Sequence, residues 1–272
     1  MMDEDKPDPM PFSLEIERLE ASGLLRHIEL HEMLPSTNDL AIVRAADATL
    51  KTPALFVALE QTAGRGRGDN AWWSSDGALM FSLLLEPHRV GIPADRLPCV
   101  SLAVAVAICD TIEGLTPEMT GGVKWPNDVY LGDRKLAGVL IECPNTSGQT
   151  PPRLVIGIGI NVNNSLATAP AEVRSVGVSL CEVIGRELDG TDLLLNLLQA
   201  LRSRLVQLAR DDPQLAEAWR ERSILSGRHV EILDGSRKIT GEVVEIAEDG
   251  ALVVQTPDGP TRCYAGILTL AE

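Results

Sequence analysis

Arg65, Arg67, Lys124, Asp128 and Lys135 stand in short stretches that also hold glycine, tryptophan, proline and asparagine. In the first stretch, GRGRGDNAWW at 64–73, two arginines alternate with three glycines. A guanidinium offers a fork of donors that matches carboxylate or phosphate, and glycine lets backbone N–H groups come close while keeping a loop open. Each charge-assisted hydrogen bond so made contributes about 1.5–3 kcal/mol. By composition alone, a solvated Arg-Gly turn is an equally good reading. Residues 60–80 set Arg65 and Arg67 against Glu60, Asp69 and Asp76, so the stretch is no basic patch. Core packing accounts for one of Trp72 and Trp73, and an aromatic face beside two arginines also suits an adenine or another flat ring.

A second stretch reads KWPND at 124–128, followed by DRKLAG at 133–138. Pro126 stops strand pairing and is expected to turn Asn127 and Asp128 outward at a strand end. Asp128 suits Mg²⁺ riding on a phosphate, because magnesium usually takes only one or two protein carboxylates. Lys124 and Lys135 suit phosphate or carboxylate oxygens, while Asp133 and Arg134 read as solvated turn residues. Lys135 opens the apolar run KLAGVLIE, where an ammonium needs an anionic partner or an exit to water. The third stretch, GIGINVN at 157–163, lacks the third glycine and the following helix of a dinucleotide loop. Its glycines instead imply close approach by another group, with Asn161 as the useful polar side chain.

The elements that must position these residues follow from hydrophobic period and turn signals. Residues 13–25 predict a short helix, and Arg26–Leu34 a strand. Ser36-Thr37-Asn38-Asp39 predicts a capped helix start. Ala54–Glu60 and Ala78–Leu85 read as buried strands with the Arg-Gly stretch between them. Ala94–Leu115 reads as one long apolar helix. Val129–Leu131 and Lys135–Glu142 read as a hairpin, Leu154–Val162 as a strand, and 192–211 and 213–223 as helices. After residue 225 the pattern changes to short strand-like pieces separated by Asp-Gly turns, a small β-barrel. Hairpins mixed with helices give an α+β fold. The expected division is an acidic disordered tail (1–12), a main domain (13–225) and the barrel (226–272).

The 272 residues carry 24 Lys plus Arg against 39 Asp plus Glu, a net charge of −15. That balance argues against a nucleic-acid face, although a few local cations can still dominate a site, since charges beyond about 8 Å are screened. No apolar run approaches the ~18–20 residues that span a bilayer, so no membrane partner is expected. The acidic, Pro-rich start is not a targeting peptide, and a cytoplasmic protein follows. Cys99, Cys109, Cys143, Cys181 and Cys263 are scattered and read as reduced core thiols, and the four histidines form no ligand cluster.

Taken together and in order, the motifs resemble the biotin–protein ligase family: Ser36-Thr37-Asn38, QTAGRGR at 61–67 with Trp72, KWPND, KLAGVLIE at 135–142 and GIGINVN. The resemblance spans about 26–270. It implies a catalytic domain like those of class II aminoacyl-tRNA synthetases, followed by an SH3-like barrel. The implied substrates are biotin and ATP with Mg²⁺, and the implied partner is a biotin carboxyl carrier domain of a carboxylase. Biotin would be bound by Ser36, Thr37, Asn38, Gln61, Gly64, Arg65, Gly66, Arg67, Lys135 and Gly138. ATP would be served by Arg67, Trp72, Lys124, Asn127, Asp128 and Asn161, with Asp128 holding the metal. Arg65, Arg67 and Lys135 would be the catalytic cations, and the glycine-hinged loop a lid over biotinyl-5′-AMP.

The sequence also departs from the family pattern. Gly68-Asp69-Asn70 follows GRGR where many bacterial members continue with more arginine, and Ser74-Ser75 stands where Ser-Pro is usual. Both bear on loop rigidity and retention of the intermediate. Repressor-type members carry an N-terminal helix-turn-helix, whereas 35 residues precede Ser36 here, so a ligase without operator binding is expected. Family members are often dimers, which leaves a homodimer open. The rival readings are a lipoate or octanoate ligase of the same superfamily, whose Arg-Arg-x-Gly-Gly-Gly loop is absent, and a non-catalytic biotin or nucleotide sensor.

Overall fold

A computed structural model describes residues 13–144 and 152–271. The expected tail at 1–12 lies outside the described residues. The chain opens with α1 (Ile16–Ala21), β1 (His27–Leu34), α2 (Thr37–Arg44), β2 (Ala54–Gln61) and β3 (Ala78–Leu85). The next elements are α3 (Val100–Leu115), β4 (Gly121–Lys124), β5 (Asp128–Leu131), β6 (Arg134–Glu142) and β7 (Leu154–Asn161). Helices α4 (Ala171–Val176), α5 (Leu180–Ile184), α6 (Gly190–Ala209) and α7 (Pro213–Glu221) follow. The chain ends in β8 (His229–Asp234), β9 (Arg237–Ile246), β10 (Leu252–Thr256), β11 (Gly259–Cys263) and β12 (Ile267–Leu270).

Among the described residues the strands form a seven-stranded sheet ordered β1-β2-β3-β7-β6-β5-β4 and a five-stranded sheet ordered β11-β10-β9-β8-β12. Only β1 and β2 run parallel; the other described pairs are antiparallel, which makes the architecture α+β. The two-residue period of β7 decides which face of the large sheet does what. Leu154, Ile156, Ile158 and Ile160 enter the main core with α3 and α6. Val155, Gly157, Gly159 and Asn161 face the other way. There α2 covers one end through a small cluster of Ala41, Ala45, Phe56, Leu84 and Val155. Beyond that cluster the facing residues include Ser82, Gly138, Gly157 and Gly159, so the sheet lacks large side chains over a broad patch.

Buried Arg153 ties this face together. It donates to the carbonyls of Ala45, Asp47 (2.6 Å) and Leu50 (3.1 Å), and to the Glu86 carboxylate (3.1 Å). The contacts lock the end of α2 against the strands it covers. Burial pushes the Glu86 carboxyl up, but hydrogen bonds from Arg89 and Arg153 more than offset this and hold it below the usual carboxylate range.

Four expectations change. Ala94–Leu115 is not one α-helix: residues Ala94–Cys99 form a 3₁₀ turn containing Pro98, and the α-helix starts at Val100. The same stretch is long and apolar enough to cross a membrane, by length and composition, contrary to the expectation that no run approaches that length. Here it is packed as the core helix against the sheet and α6. In the C-terminal sheet, Gly259–Cys263 supplies a strand that the sequence reading missed, because Pro260 and Gly259 weaken the strand signal. All five cysteines are free thiols. Cys99, Cys109 and Cys263 are buried, Cys181 is half-buried, and Cys143 is exposed rather than in the core. Burial pushes the Cys109 thiol up to about 12.

Candidate active site

The patch of missing side chains is the floor of a cavity of about 760 Å³. Within its lining fall Ser36, Thr37, Asn38, Gln61, Arg65, Gly66, Arg67, Trp72, Lys124, Asn127, Asp128, Lys135 and Gly138. Residues far apart in the sequence therefore share one volume of the size that takes small-molecule ligands. Gly64 and Asn161 are not among the lining residues. Gly64 sits against the Trp72 carbonyl, and the Asn161 side chain accepts a hydrogen bond from Asn164 (3.1 Å).

The glycines of β6 and β7 seat two side chains. A Cβ on Gly159 would lie 2.5 Å from Trp72 Cε2, and one on Gly138 would lie 3.2 Å from Cζ3 of the same ring. A Cβ on Gly157 would lie 2.0 Å from Asn38 Oδ1. The expectation of close approach holds, and the approaching groups are an indole and an amide. Trp72 Nε1 is buried without a hydrogen-bond partner, and the ring borders the cavity.

The Arg-Gly stretch is a closed hairpin rather than an open, hinged loop. Gly66 N donates to Asn70 O (2.7 Å) and Trp72 N to Gly64 O (2.8 Å), while Arg65 and Ala71 form a β-bridge. Gly68 at the tip has φ +64, a conformation that favours glycine. Gly64 and Gly66 are needed because carbonyl oxygens of the returning strand lie 2.5 and 3.0 Å from where a Cβ would stand.

The cations differ in what already holds them. Arg65 donates through Nη1 to Asp39 Oδ1 (2.5 Å) and through Nη2 to Glu142 Oε1 (2.5 Å). The Glu142 hydrogen bond is the largest cause of a guanidinium pKa raised above its ordinary value. Arg67 donates to the Gly266 carbonyl (3.1 Å) in the C-terminal sheet domain. Lys135 meets its expected anion, Asp128 (2.8 Å), and its Nζ stands 5.8 Å from the centre of a Trp72 ring. The Lys135 carbonyl accepts from Val178 N (3.0 Å), which fixes the start of β6. Lys124 lies 5.4 Å from the Tyr130 ring centre. Burial, and then Asp128, raise the Tyr130 hydroxyl above its usual range.

Asn127 is half-buried, and its side chain donates to Val139 O (2.8 Å), so it braces the strand end instead of turning fully outward. Arg134 is exposed, as expected, and pairs on the surface with Glu182 (2.7 Å). Asp128 lies on the cavity wall, as do Asp69 and Asp234, and its carboxylate pairs with Lys135; magnesium usually takes only one or two protein carboxylates and keeps several waters. At the other end, Ser36, Thr37 and Asn38 are buried at the start of α2. Ser36 Oγ accepts from Asp39 N (3.4 Å), but Asp39 turns to Arg65 instead of completing a capping box. Gln61 Oε1 accepts from Thr37 N (2.7 Å).

Sequence reasoning missed several residues at the site. Glu142 was legible in principle, because the strand period puts it on the face of Gly138 and Leu140. Ser82 lies within an otherwise apolar strand, a signal that the reading passed over. The C-terminal residues Leu233–Gly235 and Ala265–Leu268, which complete the cavity rim, carry no local mark. Trp125 fixes that second domain in place: buried in the core, it donates through Nε1 to Gly250 O (3.0 Å).

Residues 30–161 match the model of the biotin/lipoate A/B protein ligase family, and 225–267 match that of the biotin protein ligase C-terminal domain. The chain is 31% identical to a biotin–[acetyl-CoA-carboxylase] ligase of Mycobacterium tuberculosis, over 88% of this chain and 87% of that protein. It is 28% identical to the bifunctional ligase/repressor BirA of Bacillus subtilis, over 90% of this chain and 74% of that one. The structure is similar to biotin protein ligase from Aquifex aeolicus in complex with biotin and ATP. The TM-score is 0.76 at 28% identity, covering 90% of this chain and 99% of the other.

Proposed function

Because the chain belongs to the biotin/lipoate A/B protein ligase family, we infer that its cavity activates biotin with ATP and passes it to a carboxylase carrier protein. It is an ATP-dependent biotin–protein ligase. In the first step a carboxylate oxygen of biotin forms a bond to the α-phosphorus of ATP. The bond from that phosphorus to the β-bridging oxygen breaks, and pyrophosphate leaves with the electron pair. In the second step the amine of an acceptor lysine attacks the carbonyl carbon of biotinyl-5′-AMP. A C–N bond forms, AMP departs and a proton is released.

The observation that carries the reading is the convergence of Arg67, Lys124 and Lys135 on one cavity that Ser36, Thr37, Asn38 and Gln61 also line. Two unit negative charges ~4 Å apart repel by about 4 kcal/mol at an effective dielectric of ~20. Fixed cations offset that repulsion and the charge that grows at the α-phosphate. In this reading Arg67 and Lys135 face the biotin carboxylate and the α-phosphate. Ser36, Thr37 and Gln61 hydrogen-bond the ureido ring, with Gly138 lining the pocket, and Asn38 stands beside them. Lys124, Asn127 and Trp72 serve the nucleotide, and Asp128 would hold Mg²⁺, which supplies further neutralisation of the phosphates when bound. Asn161 acts at one remove, through the strand end that it shapes.

The Arg-Gly hairpin covers the junction where the mixed anhydride forms and excludes water from it. The net charge of −15 supports a reading without a nucleic-acid partner. The free thiols fit a reducing compartment, and we place the protein in the cytoplasm. The test is transfer of labelled biotin by the purified chain to a carrier domain, with the acceptor lysine replaced by arginine as control. ATP-dependent labelling that needs the lysine is expected. Labelled biotin that binds but is never transferred would reduce the protein to a sensor.

A further inference from the structure

We propose that Glu142 is a positioning residue for this reaction, and that Arg65 is the latch it holds rather than a cation facing substrate. The consequence for catalysis rests on the biotin-activation reading; the latch itself does not.

Both terminal nitrogens of Arg65 are taken by carboxylates, Asp39 on one side and Glu142 on the other, each at 2.5 Å. One positive charge between two negative ones leaves the trio net negative. A third anion, the biotin carboxylate, would be repelled there. Arg67 and Lys135 are not so encumbered: the first is met by a backbone carbonyl and the second by one carboxylate. The two arginines of the motif therefore divide their work, although they look alike in the sequence.

Glu142 is the less exposed of the two partners, with 24% of its side-chain surface accessible against 51% for Asp39. Its second oxygen accepts from Asn38 Nδ2 (2.8 Å). Asn38 Oδ1 in turn accepts from Ser82 Oγ (2.5 Å), which lies 2.9 Å from Thr37 Oγ1, and Thr37 N donates to Gln61. A continuous polar chain thus runs from the ureido end of the cavity to the hairpin, with Glu142 as the joint between the rigid sheet and the loop. Arg65 lies between the backbone bonds that close the hairpin, so holding it fixes both the aim of Arg67 and the strand that carries Trp72. A held hairpin keeps the reactive anhydride covered; a loose one lets it escape or meet water.

The experiment compares the full chain with its Glu142→Gln, Arg65→Gln and double variants. Hydrogen–deuterium exchange on the free protein reads the hairpin, residues 64–72, and rapid quench with biotin and ATP reads loss of biotinyl-5′-AMP. The expected result is faster exchange across 64–72 in every variant, unchanged exchange in β7, and intermediate lost about tenfold faster, the effect of one charge-assisted hydrogen bond. The double variant is expected to be no worse than the worse single one, because both changes open the same latch. Native exchange in Glu142→Gln, or losses that multiply in the double variant, would overturn the proposal. So would an Arg65→Gln protein that fails to form the intermediate while its hairpin exchanges normally. Should Glu142→Gln also disturb β7, Glu142→Asp must restore protection of the hairpin, and failure to do so refutes the latch. A wild-type protein that makes no intermediate would sink the functional reading instead, with the exchange data still deciding the latch.

Discussion

Gly159→Ala tests whether the missing side chains on the sheet floor are what place the indole. The added Cβ would stand 2.5 Å from Trp72 Cε2, 2.7 Å from Nε1 and 2.9 Å from Cζ2. Comfortable carbon contacts are ~3.5–4.0 Å, so the ring must retreat by about 1–1.5 Å. Gly138 and Gly159 are paired on the sheet beneath the ring, so the retreat is away from the sheet and into the cavity that the ring borders. Overpacking of this kind costs about 1–3 kcal/mol. Because the ring can move into open volume without disturbing the core, we expect the cost to fall on ligand binding, as a ~5- to 150-fold weaker Kd. Calorimetric titration with biotin and with a non-hydrolysable ATP analogue measures it, and a thermal melt run alongside should show only a small fall in Tm. Wild-type affinity for both ligands would mean that the glycine gap does not position Trp72.

Arg67→Ala removes a cavity cation that, among the described residues, is met by the Gly266 carbonyl, and single-turnover formation of the intermediate should slow by about 10²–10³-fold; a near-normal rate would free Arg67 of that role. Lys135→Ala leaves Asp128 without its partner and should weaken both biotin binding and adenylation, whereas unchanged kinetics would make Lys135 a bystander. Glu86 has a depressed pKa, so the stability it contributes is present above the usual carboxylate range and lost as pH falls through the folded value. Glu86→Gln should therefore cost about 1.5–3 kcal/mol at neutral pH and flatten the acid limb of a stability–pH curve. An acid limb identical to that of the wild type would refute the assignment.

Much of this was legible in the sequence because it rests on local rules. The alternation in LVIGIGIN fixes which residues meet the core, and the apolar start of KLAGVLIE demands an anion for Lys135, which Asp128 supplies. Turn glycines at 132, 235 and 250 mark their connections through positive φ. What could not be read depends on contacts between distant segments. Asp39 looked like a capping residue, and only the fold brings Arg65 to it across 26 positions. Glu142 had a correct face but no visible partner. The glycines of 64–68 were read as freedom, whereas they allow a tight hairpin whose returning strand leaves no room for a Cβ at Gly64 or Gly66. The rim from the C-terminal sheet has no local signature, because its contribution is a set of backbone positions and a carbonyl.

The central claim is that one cavity joins the acid of biotin to the α-phosphate of ATP. Isotope exchange between pyrophosphate and ATP tests it most directly, run on the purified chain with biotin, lipoate and octanoate in parallel. Exchange that depends on biotin alone is the predicted result. Exchange supported by lipoate or octanoate but not by biotin, or by none of the three, would contradict it.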